Sequence, residues 1–286
     1  MLRTAISLAA ATVVAAIAVG AAPGVAHAGT APIRCPSAGT PPPGSTVMHG
    51  LEVDGLCTLT HVTVNGGVSV DPTPLAQLIC CIQNLALLNG STVNGEVTVR
   101  SGSGFVTGID GNTFNLTHDR STINGRITFH SGGFLLVDAT VKGGVNKNGA
   151  YDWSLVCGDD PSCFGMDHVC ESNIFGNITV NDTNTEQVFI GDPIDFRFPN
   201  GDCSGNTIHG SVTLQDTNFV SADNEPAEIE GNVVTGSVRL DHSSAEVYGN
   251  TIAGSLLCAY GSVLFPAPPS DPSGTTNMVS GTNTCF

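Results

Sequence analysis

From residue 53 onward the chain returns again and again to one arrangement of positions, apolar-x-Gly-x-apolar-x-apolar. It reads VDGLCTL at 53–59, VNGGVSV at 64–70, VNGEVTV at 93–99, INGRITF at 123–129, IFGNITV at 174–180, IHGSVTL at 208–214, VTGSVRL at 234–240 and IAGSLLC at 252–258. Degenerate copies stand at 141–147 (VKGGVNK) and 279–285 (VSGTNTC). The apolar period is two, that of a strand, rather than the 3.6 of a helix. The first apolar residue, the Gly and the two later apolar residues are therefore expected on one face, and the intervening Asn, Glu, Arg, His, Ser and Thr on the other.

Two residues before the first apolar position stand Ser91, Ser121, Ser172, Asn206, Asn232, Asn250 and Asn277. They share the inward parity, which predicts small polar side chains at one corner of a stack of coils, bonded to their neighbours above and below. The Gly is expected at a bend or a close backbone approach. The intervals Gly125 to Gly143 and Gly236 to Gly254 are both 18 residues, one short coil of a β-solenoid. Other intervals run mostly from 26 to 34 residues and read as coils with inserted loops, or as larger coils. The consensus positions of leucine-rich repeats and the GGxGxD pattern of calcium-binding nonapeptides are absent.

Composition agrees with an all-β chain. Gly, Ser, Thr, Asn and Val are abundant, aromatic residues make up 6% and charged residues 12%, a mixture suited to strands and tight turns and poor in helix formers. Residues 1–28 combine Arg3, an Ala/Val run and the small-residue pattern Ala26-His27-Ala28, which reads as a secretory signal peptide. No later apolar stretch reaches the length of about 18 residues that a membrane span needs. The expected location is therefore secreted, extracellular or cell-wall associated. Without Arg3 the balance is 8 basic against 25 acidic residues, a net of −17, a field that repels phosphate backbones and argues against nucleic acid.

All ten cysteines follow residue 28, and an even number in an exported chain predicts up to five disulfides. Cys258 and Cys285 fill the same last position of two consecutive repeats. Stacked strands lie about 4.8 Å apart, within the Cα separation a disulfide spans, so this pair is expected to staple the final coil. Cys35 with Cys57 is a second expectation near the entrance. Two further bridges are expected among Cys80 or Cys81, Cys157, Cys163, Cys170 and Cys203.

The Ala-rich signal, the entrance Cys57-x-Leu59-x4-Val64-x-Gly66-x-Val68, the GN-x-I/V-x-G repeats and the terminal Cys258 and Cys285 together resemble exported right-handed parallel β-helix repeat proteins of high-GC Gram-positive bacteria. That resemblance, with the general chirality of parallel crossovers, implies the right-handed sense. The expected fold is all-β, a single-stranded right-handed parallel β-helix over 47–286, preceded by an N-terminal extension at 29–46. Insertions are expected near 71–90 and 148–205. The family implies no settled biochemical role.

The segment DPTPLAQLICCIQNLALLNG, 71–90, reads either as a short amphipathic helix capped by Thr73 and Pro74 or as an enlarged coil with strands around Leu85–Leu88. The segment 148–205 holds Trp153 and most of the candidate chemistry, and long insertions on a rigid solenoid are common places for binding. Cys157, Cys163, Cys170 and His168 are zinc-type ligands, but their gaps lack a CxxC knuckle and an exported chain favours disulfides. Asp159, Asp160, Asp167, Asp182, Asp192 and Asp195 offer hard oxygens to calcium, with Asp159, Asp160, Asp192 and Asp195 the foremost candidates; scattered surface acids are the plainer account. Asp159-Asp160 and His209-Gly210 resemble the polygalacturonases, in which paired carboxylates serve as acid and base. The Asn-Thr-Asp, Gly-His-Gly and Arg-Ile-Lys motifs are missing, and His209 stands at an outward position. A pectate lyase-like reading needs a basic Arg facing calcium. The expectation is thus a non-catalytic exported β-helix protein, structural or surface-binding, with no cofactor. Its expected partners are a cell-wall or extracellular polysaccharide, a surface protein, or further copies of itself end to end. The alternative is a polysaccharide-acting enzyme with a site built on Asp159, Asp160 and His209, with calcium in the lyase case.

Overall fold

The computed structural model describes residues 31–71, 84–110, 115–149, 166–183, 187–191, 204–217, 227–265 and 276–285. Among these the chain is all β-strand, turn and bend, wound as a right-handed parallel β-helix whose strands stack into three parallel sheets. The first wall has ten strands, from Ile33–Cys35 to Leu256–Cys258. The second has nine, from Leu56–Thr60 to Val263–Phe265, and the third has ten, from Thr46–Val47 to Met278–Val279. From Leu51–Val53 onward each turn of the ribbon runs first wall, second wall, third wall, and returns through the repeated Gly.

Strand parity places the hydrocarbon. On the first wall Val97, Ile127, Val145, Ile178, Val212, Val238 and Leu256 pair in unbroken register, and all are buried. This is the continuous column that the alternation demands, and it joins one core running through the solenoid. Each of these branched side chains contributes on the order of 1.5–3 kcal/mol by leaving water, before chain entropy is subtracted.

The small polar corner is present as expected. The Ser172 amide N–H donates to Asn206 Oδ1 at 2.9 Å, and the Nδ2 groups of Asn206, Asn232 and Asn250 each donate to the next Asn Oδ1 at 2.9–3.0 Å. The serine end works through its hydroxyls: Ala139 N–H donates to Ser172 Oγ at 3.0 Å, and Val62 N–H to Ser91 Oγ at 3.0 Å. Gly231 and Gly249, which precede two of the asparagines, both have φ of +66°, a conformation that glycine adopts without penalty.

The repeated Gly departs from the expected inward parity. Except in the copy at 53–59, whose Gly55 separates the first-wall strand Leu51–Val53 from the second-wall strand Leu56–Thr60, it lies at the bend between the third and first walls, and a Cβ there would enter the preceding coil rather than the core: at Gly236 it would sit 2.6 Å from the Gly210 carbonyl oxygen, and at Gly254 2.5 Å from that of Gly236. The residue after it forms another ladder, with Ser237 N–H donating to Ser211 Oγ and Ser255 N–H to Ser237 Oγ, both at 3.0 Å. A further inward ladder, unforeseen in the repeat, joins Thr183 to Thr217 (Oγ1 to Oγ1, 3.3 Å) and Thr217 N–H to Ser243 Oγ (3.0 Å) at the turn between first and second walls. Its signal was the triplets NDT (181–183), QDT (215–217) and DHS (241–243), whose middle residues all have positive φ.

Two disulfides close the ends. Cys35–Cys57 has a Cα separation of 5.5 Å and Cys258–Cys285 one of 5.0 Å, the pairings expected from the sequence. The first rung already begins at Ile33–Cys35, within the 29–46 stretch that carries no repeat. Of the two readings of 71–90, Asn84–Asn89 is a strand of the second wall, as the enlarged-coil reading has it; the proposed helical stretch at 73–83 lies outside the described residues. The segment 148–205 supplies ordinary rungs through Met166–Cys170, Asn173–Ile174, Ile178–Asn181 and Gln187–Gly191.

Candidate functional site

Three outward surfaces carry side chains with chemistry. The third wall presents two columns. In one, Thr46, Thr63, Thr92, Thr122 and Thr140 stand in register, followed by Asn173 and Thr207, with Thr251 further on. In the other, two residues along each strand, Asn94 Nδ2 donates to Asn65 Oδ1 and Asn124 Nδ2 to Asn94 Oδ1, both at 2.7 Å. Because parallel strands repeat about every 4.8 Å, these columns form a flat grid of hydroxyls, methyls and carboxamides along the solenoid axis. Further along, the exposed rings of Phe175 and His209 stack at 4.5 Å with 13° between their planes, and His209 Nε2 lies 3.0 Å from Asn173 Oδ1.

A shallow depression of about 310 Å³ opens beside this grid, lined by Arg120, Glu171, Asn173, Ser204 and Thr207. Arg120 Nε lies 2.6 Å from Asp138 Oδ1, and His118 Nδ1 lies 3.7 Å from Glu171 Oε2.

The outward face of the second wall changes character along its length. Near its start it is apolar and covered: Ile109 and Leu116, joined by an antiparallel bridge, pack with Leu87, Val106 and Val137 in a second small cluster. In the same column, Leu135 is followed by His168, Phe189, Glu228 and Glu246. His168, Phe189, Glu228, Glu230 and Tyr248 are all buried. Burial lowers the His168 pKa to about 4, opposed by a contact of Nε2 with the Gly191 carbonyl at 3.4 Å. The Tyr248 phenol is pushed well up, first by burial and then by the negative charge of Glu228, Glu230 and Glu246. A phenol so placed stays protonated.

The residues singled out in the sequence fare differently. Asp159, Asp160, Asp192, Asp195, Trp153 and Cys80, Cys81, Cys157, Cys163 and Cys203 lie outside the described residues. His209 is exposed, at the outward position that the repeat assigns to it. Asp182 is exposed, but Asp167 is turned into the core against Lys147 and is no surface calcium ligand. Cys170 is disulfide-bonded, which removes its thiolate from any zinc set. No group of three or more potential metal ligands occurs among the described residues. The buried carboxylates Glu228 and Glu230 escaped the sequence reading because AEIE (227–230) looks like an ordinary alternating strand. Their signal was negative charge on adjacent rungs, since Glu246 stands in register with Glu228.

Fold and surfaces define a right-handed parallel β-helix that carries long polar grids on a rigid wall. No protein-family model, curated protein or solved structure matches the chain.

Proposed function

We propose that the chain is an exported binding scaffold that lays its third wall along an extended polysaccharide of the cell wall or surroundings. The observation that carries this reading is the axial register of the Thr column with the Asn65, Asn94 and Asn124 ladder. A repeating ligand meets a repeating set of hydroxyls and carboxamides, and a linear glycan is a ligand whose own hydroxyls recur at a similar pitch. The carboxamides are already bonded to one another, so little ordering remains to be done on contact. The leader-like residues 1–28 support export, and the disulfides suit that compartment.

The test is co-sedimentation with insoluble glycans. Thr92→Glu with Thr122→Glu, both at outward positions, should abolish retention while circular dichroism shows the fold kept, with only the small loss of melting temperature that like charges on adjacent rungs bring. Absence of retention on every glycan tried, or retention untouched by the pair of changes, overturns the reading.

A second reading, a polysaccharide-acting enzyme, draws on a different observation. Glu228, Glu230 and Tyr248 are buried together on the second wall, with Glu246 on the adjacent rung. Paired carboxyl groups, one protonated and one ionised, are the equipment of glycoside cleavage. Release of reducing ends that disappears in Glu228→Gln would favour it; no release from neutral or uronate glycans, with or without calcium, sinks it.

A further inference from the structure

The coil that begins at Val145 carries a lysine and an aspartate where its neighbours carry hydrocarbon. Lys147 stands in register between Phe129 and Val180 on the first wall, and Asp167 pairs with Val188 on the second. Both side chains are fully buried, and Nζ lies 2.6 Å from Oδ2. Main-chain groups orient the two partners: the Gly132 carbonyl accepts from Nζ at 2.8 Å, and the Phe134 N–H donates to Oδ1 at 3.1 Å. The Phe134 ring lies 5.9 Å from Nζ.

We propose that Lys147 and Asp167 condense into an intramolecular isopeptide bond between Nζ and Cγ. Away from water, separated charges are disfavoured relative to the neutral amine and carboxylic acid, and a proton passes from Nζ to Oδ2 across the short contact. The amine then attacks Cγ. Oδ1 takes up the negative charge of the tetrahedral adduct opposite the Phe134 N–H, a donor already in place. A second proton moves from nitrogen to the Oδ2 hydroxyl, the Cγ–Oδ2 bond breaks and water departs. The product is a secondary amide, and the step needs no oxidant and no outside reactant. Fixing the amine beside the carboxyl removes the entropic cost that makes such condensations slow between free molecules.

The bond would close a covalent ring around the intervening segment 148–166. Like a disulfide it would restrict the unfolded chain, but it would survive reduction. It would also replace a buried ion pair, whose desolvation is costly, with a neutral linkage.

Mass spectrometry of the purified full chain tests this directly. The chain should be lighter by one water than its sequence and disulfides require, and digestion should yield a branched peptide joining Lys147 to Asp167. After reduction and unfolding in denaturant, an amine-reactive label should modify Lys142 and leave Lys147 untouched. Lys147→Met should restore the missing mass; should that variant fail to fold, the labelling of the natural chain decides alone. Modification of Lys147 in denaturant, a full mass, or a water deficit that maps to an aspartate elsewhere overturns the proposal.

Discussion

Asn206 donates one side-chain N–H to Asn232 Oδ1 at 2.9 Å and the other to the Val169 carbonyl at 2.8 Å, while its main-chain N–H reaches the same Asn232 oxygen at 3.0 Å. Asn232 repeats the pattern toward Asn250, so each carboxamide closes main-chain groups of the corner that would otherwise be buried without partners. Asn232→Ala should therefore cost about 2–4 kcal/mol, because several buried groups lose a partner at once. Asn232→Ser should cost less, since Ser172 holds the same corner with a hydroxyl. Urea unfolding of both variants checks the order; equal losses would mean that the ladder is incidental.

Val238 and Arg239 are sequence neighbours on opposite faces, the one fully buried and the other exposed. Val238→Asp should prevent folding or cost more than about 4 kcal/mol by burying an unpaired charge. Arg239→Asp removes only the exposed pair with Asp241 (3.0 Å) and should cost less than about 1 kcal/mol. Matching thermal melts for the two variants would contradict the assigned faces.

Gly236 sits at a close contact between coils at the bend from the third wall to the first, where a methyl group would meet the Gly210 carbonyl oxygen at 2.6 Å. Backbone cannot retreat there without opening the strand ladders on either side. Gly236→Ala should lose about 1–3 kcal/mol, whereas Gly39→Ala, with nothing near the new carbon, should be limited to the strain of its φ of +99°. Denaturant midpoints would separate the two.

The Cys258–Cys285 bridge ties the last described coil across 27 residues. Replacing both cysteines by serine should cost about 2–4 kcal/mol through the freed unfolded chain. Protection of the Leu256 amide, which donates to the Thr282 carbonyl at 2.9 Å, should fall more than that of Val212 in hydrogen exchange. Uniform loss along the solenoid would argue against local fraying.

His168 should make stability fall on acidification. Its folded-state pKa of about 4 lies below the ordinary histidine value of 6.5, so the unfolded chain binds its proton first. The contribution is fully present above about pH 6.5, declines as the pH falls toward about 4 and then levels off, a loss of about 3 kcal/mol from this group. Unfolding of His168→Gln should show a shallower slope between pH 6.5 and 4 than the natural chain; an unchanged slope would assign the effect to other groups.

Much of the architecture was legible because parity is local. Whether Val212, Val238 and Leu256 face inward depends only on alternation along each strand, and recurrence of the same phase every coil obliges them to stack. The same reasoning reaches the Asn corner and Cys258–Cys285, whereas Cys35–Cys57 was expected from the place of both cysteines near the entrance and not from parity. It placed the repeated Gly at a close backbone approach, as found, but gave it the inward parity of a strand residue, which the bend in its own backbone breaks. Asp167 was read as a surface acid because nothing in its neighbourhood announces Lys147, which reaches it only once two walls face each other across the core. Alternation separates the inside of the ribbon from its outside, and there its information ends. Whether an outward position meets solvent, as Thr207 does, or lies buried, as Glu228 does, depends on tertiary packing over that wall.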